Sequence, residues 1–91
     1  TIGLLTLDML IPGARSLKDK RRVVKSLKDR IRNRYNASVA EVEFLDEWRR
    51  ARVAVVWGGE SRFANTQLNE IARYAVSSTG AEIANIDIEM L

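Results

Sequence analysis

Ninety-one residues, 46% hydrophobic and 30% charged, are enough for one folded domain with a modest core and do not describe a disordered chain. The absence of cysteine and histidine removes disulfides, thiol chemistry and thiolate metal sites, together with the commonest general base and metal ligand. The formal net charge of +3 conceals an uneven distribution: nine of the fifteen Lys and Arg residues lie between Lys18 and Arg34, opposed there only by Asp19 and Asp29. The rest of the chain is mildly acidic.

Ile2 to Ile11 (IGLLTLDMLI) is strongly apolar, with Leu5, Leu7, Met9 and Ile11 on one face and Leu4, Thr6, Asp8 and Leu10 on the other. This predicts a central strand with one well-buried face. Thr1 leads almost directly into it, so an initiator residue is expected to precede it. Pro12-Gly13 ends the strand.

The basic segment, Ser16 to Asn36, follows. Leu17, Val24, Leu27, Ile31 and Tyr35 recur at helical spacing, which predicts an amphipathic helix. Ser16 is the expected N-cap, with Asp19 as a short capping-box partner. At about 100° per residue, Lys18, Arg21, Arg22, Lys25 and Arg32 share a solvent arc and Lys28 lies at its border. Lys20, Arg30 and Arg34 are expected at the edges, their stems on apolar surface and their charges in water.

Ser38 to Leu45 alternates, with Ala40, Val42 and Phe44 expected inward and Val39, Glu41 and Glu43 outward. Asp46 to Arg49 reads as a hairpin connection. Arg50 to Trp57 returns, so that Arg50 and Arg52 can face Glu41 and Glu43 across the pair. Gly58-Gly59 breaks the strand. Glu60 to Ser78 carries Ala64, Leu68, Ile71 and Ala75 on one stripe, a second amphipathic helix with Gly80 as its stop. Glu82 to Leu91 alternates, with Ala84, Ile86, Ile88 and Met90 on one face.

There is no linker, repeat or low-complexity segment, so residues 1–91 are expected to form a single domain. The order βαββαβ predicts an α+β, ferredoxin-like sandwich: a four-stranded antiparallel sheet with two helices on one face. The first and third strands are expected side by side. Both strand-to-helix turns are expected at one edge, which would make Ser16, Gly59, Ser61 and Arg62 a shared anion site beside Arg15 and Lys18. The competing reading is that the glycines only make a tight turn.

A run of charge is ordinarily a solvated helix face. Here the acids that usually lace such a face are nearly absent, and Lys18, Lys20 and Arg21 crowd a first turn where the helix dipole disfavours cations. A bound anion relieves that conflict. The expected nucleic-acid contacts are therefore Arg15, Lys18, Arg21, Arg22, Lys25, Lys28 and Arg32, which read phosphates and RNA shape more than sequence. An RNA-reading sheet face is not expected: only Trp57 is available for stacking, and Asp8, Glu41, Glu43, Asp87 and Glu89 would repel phosphates.

Arg15 and Asn36 invite comparison with acylphosphatases of the same architecture, which bind phosphate with an Arg and position water with an Asn, but the glycine-rich loop pattern is missing. No catalytic residue, metal or cofactor is expected. Leu4, Leu10, Val39, Ala54 and Val56 give the open sheet face an apolar component that could pair with a second copy, and Trp48 could anchor a contact.

Ile11-Pro12-Gly13 followed by Ser16-Leu17-Lys18-Asp19-Lys20-Arg21-Arg22-Val23-Val24-Lys25-Ser26-Leu27-Lys28, with Val39-Ala40-Glu41-Val42 further on, resembles the YlxP-like family of small bacterial proteins of unknown function. The resemblance spans essentially the whole chain and implies a ferredoxin-like fold. Family members are often encoded beside a translation initiation factor and a ribosome-binding factor, which implies an association with the ribosome or its assembly. Where the family often has Asp or Asn before the second helix, this chain has Gly59-Glu60-Ser61. The combined expectation is a cytoplasmic, non-enzymatic binding protein for ribosomal RNA or the small ribosomal subunit, capable of forming a homodimer and without a membrane segment. The alternative is a structural homo-oligomer whose basic helix is merely solvated.

Overall fold

The computed structural model describes residues 1–91. Its elements are β1 (Ile2–Leu10), α1 (Leu17–Arg34), β2 (Ala37–Glu43), β3 (Arg50–Gly58), α2 (Ser61–Ser78) and β4 (Glu82–Met90). The strands form one antiparallel sheet in the order β2-β3-β1-β4, with both helices on one face, the ferredoxin-like arrangement. No helix is long and apolar enough to cross a membrane.

The core lies between sheet and helices. Leu5, Leu7 and Met9 of β1 and Ala51, Val53 and Val55 of β3 meet Val24, Leu27 and Ile31 of α1 and Leu68, Ile71 and Ala75 of α2. Alanines on the buried stripe of α2 let that helix lie close to the sheet. Gly3 serves the same packing: a Cβ there would fall 2.3 Å from Leu68 Cδ1. The helices touch near the end of α1, where the rings of Tyr35 and Tyr74 meet edge-on at 5.8 Å and the Arg34 guanidinium covers Tyr74 at 4.6 Å.

Helix α1 begins as its sequence predicts. Ser16 Oγ accepts from Asp19 N at 3.1 Å, and Asp19 Oδ2 accepts from Arg15 N at 3.0 Å. The end of α2 differs from expectation. Thr79, not Gly80, is the cap residue, and Gly80 has no positive φ. Thr79 takes an extended conformation, donates its N–H to Ala75 O and accepts from Ala81 N through its hydroxyl at 3.2 Å, which turns the chain without a left-handed residue.

The two outer strands differ from the sequence reading. Residues directly opposite in an antiparallel pair share a face. Val39 pairs with Val55 and Glu41 with Val53, so Val39 and Glu41 face the helices while Ala40 faces away. A register shift between Glu41 and Glu43 restores Glu43 to the open face. Phe44 then takes φ 62°, and its ring lies under the guanidinium groups of Arg50 at 3.9 Å and Arg52 at 5.2 Å instead of entering the core. In β4 a similar shift opposite Asp8/Met9 brings Ile83, not Ala84, to the core side with Ile86 and Ile88.

Lys20 explains the inverted β2. Expected at the helix edge, it is fully buried. Its Nζ donates to Glu41 Oε2 at 2.7 Å, and also contacts the carbonyls of Phe44 at 2.8 Å, Leu45 at 3.2 Å and Arg50 at 3.4 Å. A buried ammonium is tolerable only with such partners. Val39 satisfies the core and Glu41 the cation, whereas Ala40 and Val42 inward would leave Lys20 unpaired.

Replacement Lys20→Met keeps the apolar stem but orphans the Glu41 carboxylate and the turn carbonyls. Urea unfolding is expected to show a loss of about 3 kcal/mol or more, with partial recovery in the double variant Lys20→Met/Glu41→Gln. Unchanged stability in the single variant would show that the ammonium does not hold the turn.

Candidate nucleic-acid interface

Lys20 divides the basic segment into internal and external charges. Arg30 donates to Ser78 O, tying α1 to the end of α2. Arg32 donates to Val39 O at 2.5 Å, tying it to β2. Lys25 pairs with Asp29 at 2.7 Å on the exposed surface. The Lys25 ammonium, first by its hydrogen bond and then by its charge, holds the Asp29 carboxyl below the usual aspartate range. Arg34 stacks on Tyr74.

The side chains of Arg15, Lys18, Arg21, Arg22 and Lys28 make no hydrogen bond or ion pair within the protein. On a helical projection Lys18, Arg21, Arg22 and Lys28, with Lys25 and Arg32, span an arc of about 120°. The crest faces water, and its β2-facing edge holds Arg21, Lys28 and Arg32. Of the seven expected contacts, five are therefore available without breaking an internal bond. Lys25 is shared with Asp29, and Arg32 has a structural bond to keep.

The expected anion site is not assembled. Leu10 pairs with Arg50 and Ile2 with Gly58, so β1 and β3 run in opposite directions and their following turns lie at opposite ends of the sheet. Ser16 is thus remote from Gly59, Ser61 and Arg62. Two crossovers separated by a hairpin reverse direction once, which places α1 and α2 antiparallel. Each component also has a local task. Ser16 caps α1, Arg62 pairs with Glu60 at 2.9 Å, and Gly59 leaves room for the Trp57 ring, which would lie 2.6 Å from a Cβ there. The neighbour of the α1 N-terminal half is the end of α2: Arg22, Ser26 and Arg30 share a groove of about 190 Å³ with Ser78, Thr79 and Gly80. Arg15 and Asn36 flank an 18-residue helix about 27 Å long, so they do not converge on one phosphate.

Trp57 is not on the open face either. It pairs with Gly3 and packs against the core from the helix side. The open face carries Asp8 and Glu43 bound to Arg52 at 2.6 and 2.5 Å, with exposed Asp87 and Glu89 on β4. The hydrogen bond from Arg52 to Asp8, with the adjoining carboxylate charges, raises the Arg52 pKa further above its ordinary value. No group of three or more His, Cys, Asp or Glu side chains is placed to hold a metal ion.

Sequence reasoning missed the role of Lys20. The signal for Lys20 was present: positions 20, 24, 27 and 31 form one stripe, and a Lys centred on it needs a buried acid. Trp48, read from the sequence as able to anchor a contact from the hairpin, is 50% exposed there.

Fold and surface together define a small ferredoxin-like domain bearing a cationic helix opposite an uncovered, partly acidic sheet face. Residues 2–88 match the family described as "Protein of unknown function (DUF503)", and the chain belongs to that family. It is similar to the "Uncharacterized protein YlxP" of Bacillus subtilis (strain 168), with 34% identity over 61 residues. The match spans 67% of this chain and 66% of that protein, just under two thirds of the relative's length. Among solved structures, the "De novo designed protein Ferredog-Diesel" superposes with a TM-score of 0.56 at 12% identity, covering 99% of this chain and 85% of that one, a likeness of fold alone.

The Asp29 shift has a definite pH sign. A carboxyl whose pKa is lowered on folding adds stability above the ordinary aspartate range, and this is lost as pH falls through the folded-state value. Carboxyl NMR titration is expected to find Asp29 ionising below that range, and Lys25→Ala is expected to return it toward the ordinary value. An unchanged midpoint in that variant would remove Lys25 as the cause.

Proposed function

We propose that the protein is a non-enzymatic, cytoplasmic RNA-binding module that acts on ribosomal RNA or the small ribosomal subunit through α1. One observation carries the reading: the helix uses Lys20, Arg30, Arg32 and Arg34 to hold the fold, yet Lys18, Arg21, Arg22 and Lys28, with Arg15 just before its cap, are left without an internal partner. A solvated structural helix gains from alternating acids and has no need of unpaired like charges at i, i+3 and i+4. A polyphosphate backbone is complementary to such a surface and releases counterions on binding. Asp19 already occupies part of the α1 N-terminal site, so the phosphates are read along the helix side.

A second reading is a homodimer through the open sheet face. Leu10 and Val56 are 38% and 39% exposed there, and no helix covers them. The two readings use opposite faces.

Binding of purified small subunits and ribosomal RNA across a salt series tests the first. Lys18→Glu/Arg21→Glu/Lys28→Glu alters only cations without internal bonds, so the variant is expected to fold normally while losing binding. Wild-type affinity is expected to fall as a power of salt concentration, with an exponent of about 0.7 to 0.9 per phosphate contacted. Equal binding by wild type and variant, or no binding by wild type at low salt, defeats the reading.

For the second reading, light scattering is expected to give twice the chain mass for wild type and a single chain mass for Val56→Glu. A wild-type monomer at high concentration excludes the dimer.

A further inference from the structure

We propose that Trp48 is a stacking platform for an unpaired base, and that the ligand of the basic helix is accordingly single-stranded RNA. The proposal rests on the RNA-binding reading and names its substrate class.

Trp48 is 50% exposed in the β2–β3 turn, whereas Trp57 packs against the core. The turn that carries Trp48 is held on several sides. The Lys20 ammonium gathers the carbonyls of Phe44, Leu45 and Arg50, and Glu47 N donates to Phe44 O at 3.0 Å. The next residue is fixed twice: Arg49 Nε donates to Ala14 O at 3.1 Å, and Arg49 O accepts from Ile11 N at 2.9 Å. An indole displayed on a fixed turn has little backbone freedom to lose on binding.

The same bonds determine what lies beside it. Ala14 precedes Arg15, and Lys20 precedes Arg21, so the turn is clamped to the N-terminal end of the cationic stripe. An open hollow of about 360 Å³ is lined by Glu47, Trp48, Arg49 and Arg50. In that hollow Glu47 pairs with Arg50 at 4.0 Å and Arg49 Nε is held by Ala14 O, so its charges already have partners, whereas a base needs only the open indole face. The available phosphate contacts are Arg15, Lys18 and Arg21. An exposed aromatic flanked by cations is the combination that binds single strands, since stacking tolerates any base and backbone charge supplies the rest. A regular duplex presents its phosphates while its base faces stay stacked inside, out of the indole's reach.

The test uses an oligouridine of roughly ten nucleotides, within the site sizes common for single-strand binders, and an RNA duplex of equal length. Wild type, Trp48→Ala, Trp48→Phe and Lys18→Glu/Arg21→Glu/Lys28→Glu are titrated at low salt by anisotropy and tryptophan fluorescence. Wild type is expected to bind the single strand more tightly than the duplex, with quenching absent from Trp48→Phe. Trp48→Ala is expected to weaken single-strand binding roughly 10- to 100-fold, and Trp48→Phe to retain most of it. Equal binding by Trp48→Ala and wild type overturns the stacking platform, as does a preference for the duplex. If the charge-reversed variant alone loses binding, the RNA reading stands and the platform fails. If wild type binds neither RNA, both fail. A drop in assembly mass for Trp48→Ala with RNA affinity unchanged assigns Trp48 to a protein contact and overturns the proposal.

Discussion

The buried ammonium of Lys20 is the constraint on which the sheet edge, the hairpin and the placement of α1 all depend. An isolated charge at this depth would cost several kcal/mol, and only the Glu41 carboxylate with three main-chain carbonyls makes it tolerable. Those acceptors come from β2, from the turn that follows it and from the first residue of β3. One side chain therefore links α1 to the far edge of the sheet. Glu41 must face the helices, so β2 adopts the opposite parity from its more apolar alternative. The register then shifts before Glu43, and Phe44 turns left-handed. The Phe44 ring emerges on the open face, where Arg50 and Arg52 cover it.

This arrangement also divides a uniform-looking run of cations into two populations. Lys20, Arg30, Arg32 and Arg34 attach α1 to the sheet, to the end of α2 and to the Tyr74 ring. Arg15, Lys18, Arg21, Arg22 and Lys28 have no comparable task. The cations that remain free are a surface property of the assembled fold, not of the segment's total charge. Their position beside the clamped β2–β3 turn brings charge and an exposed indole to one end of the molecule, while carboxylates collect on the open face. A partner rich in phosphate is matched to the first surface and repelled by the second.

Most of the architecture was legible in the chain. The uninterrupted apolar alternation of β1, the Ser16 cap and the helical stripes of α1 and α2 are local signals, each repeated by its neighbours, and they agree on one topology. The basic surface was legible at the level of which helix carries it. It was not legible at the level of which cations it comprises. Lys25 and Arg32 belong to the arc by helical angle, but Asp29 and Val39 O hold them. The shared anion site failed for a topological reason: Ser16 and Gly59 both precede helices, but the two helices start from strands of opposite direction.

The sequence by itself determined the element order, the ferredoxin-like fold, the amphipathic faces of both helices and the concentration of charge on the first. These follow from periodicity and capping, which act over a few residues and are insensitive to the rest of the chain. Only the tertiary structure decided which face of β2 turns inward, where Trp57 and Trp48 stand, and which cations remain free. A short edge strand with apolar residues on both faces has no preference of its own, and a charged side chain is internal or external according to the partners that other elements bring to it. For this protein that choice was made by a carboxylate 21 residues beyond Lys20 in the chain, brought to the ammonium by the crossover from α1 into the sheet.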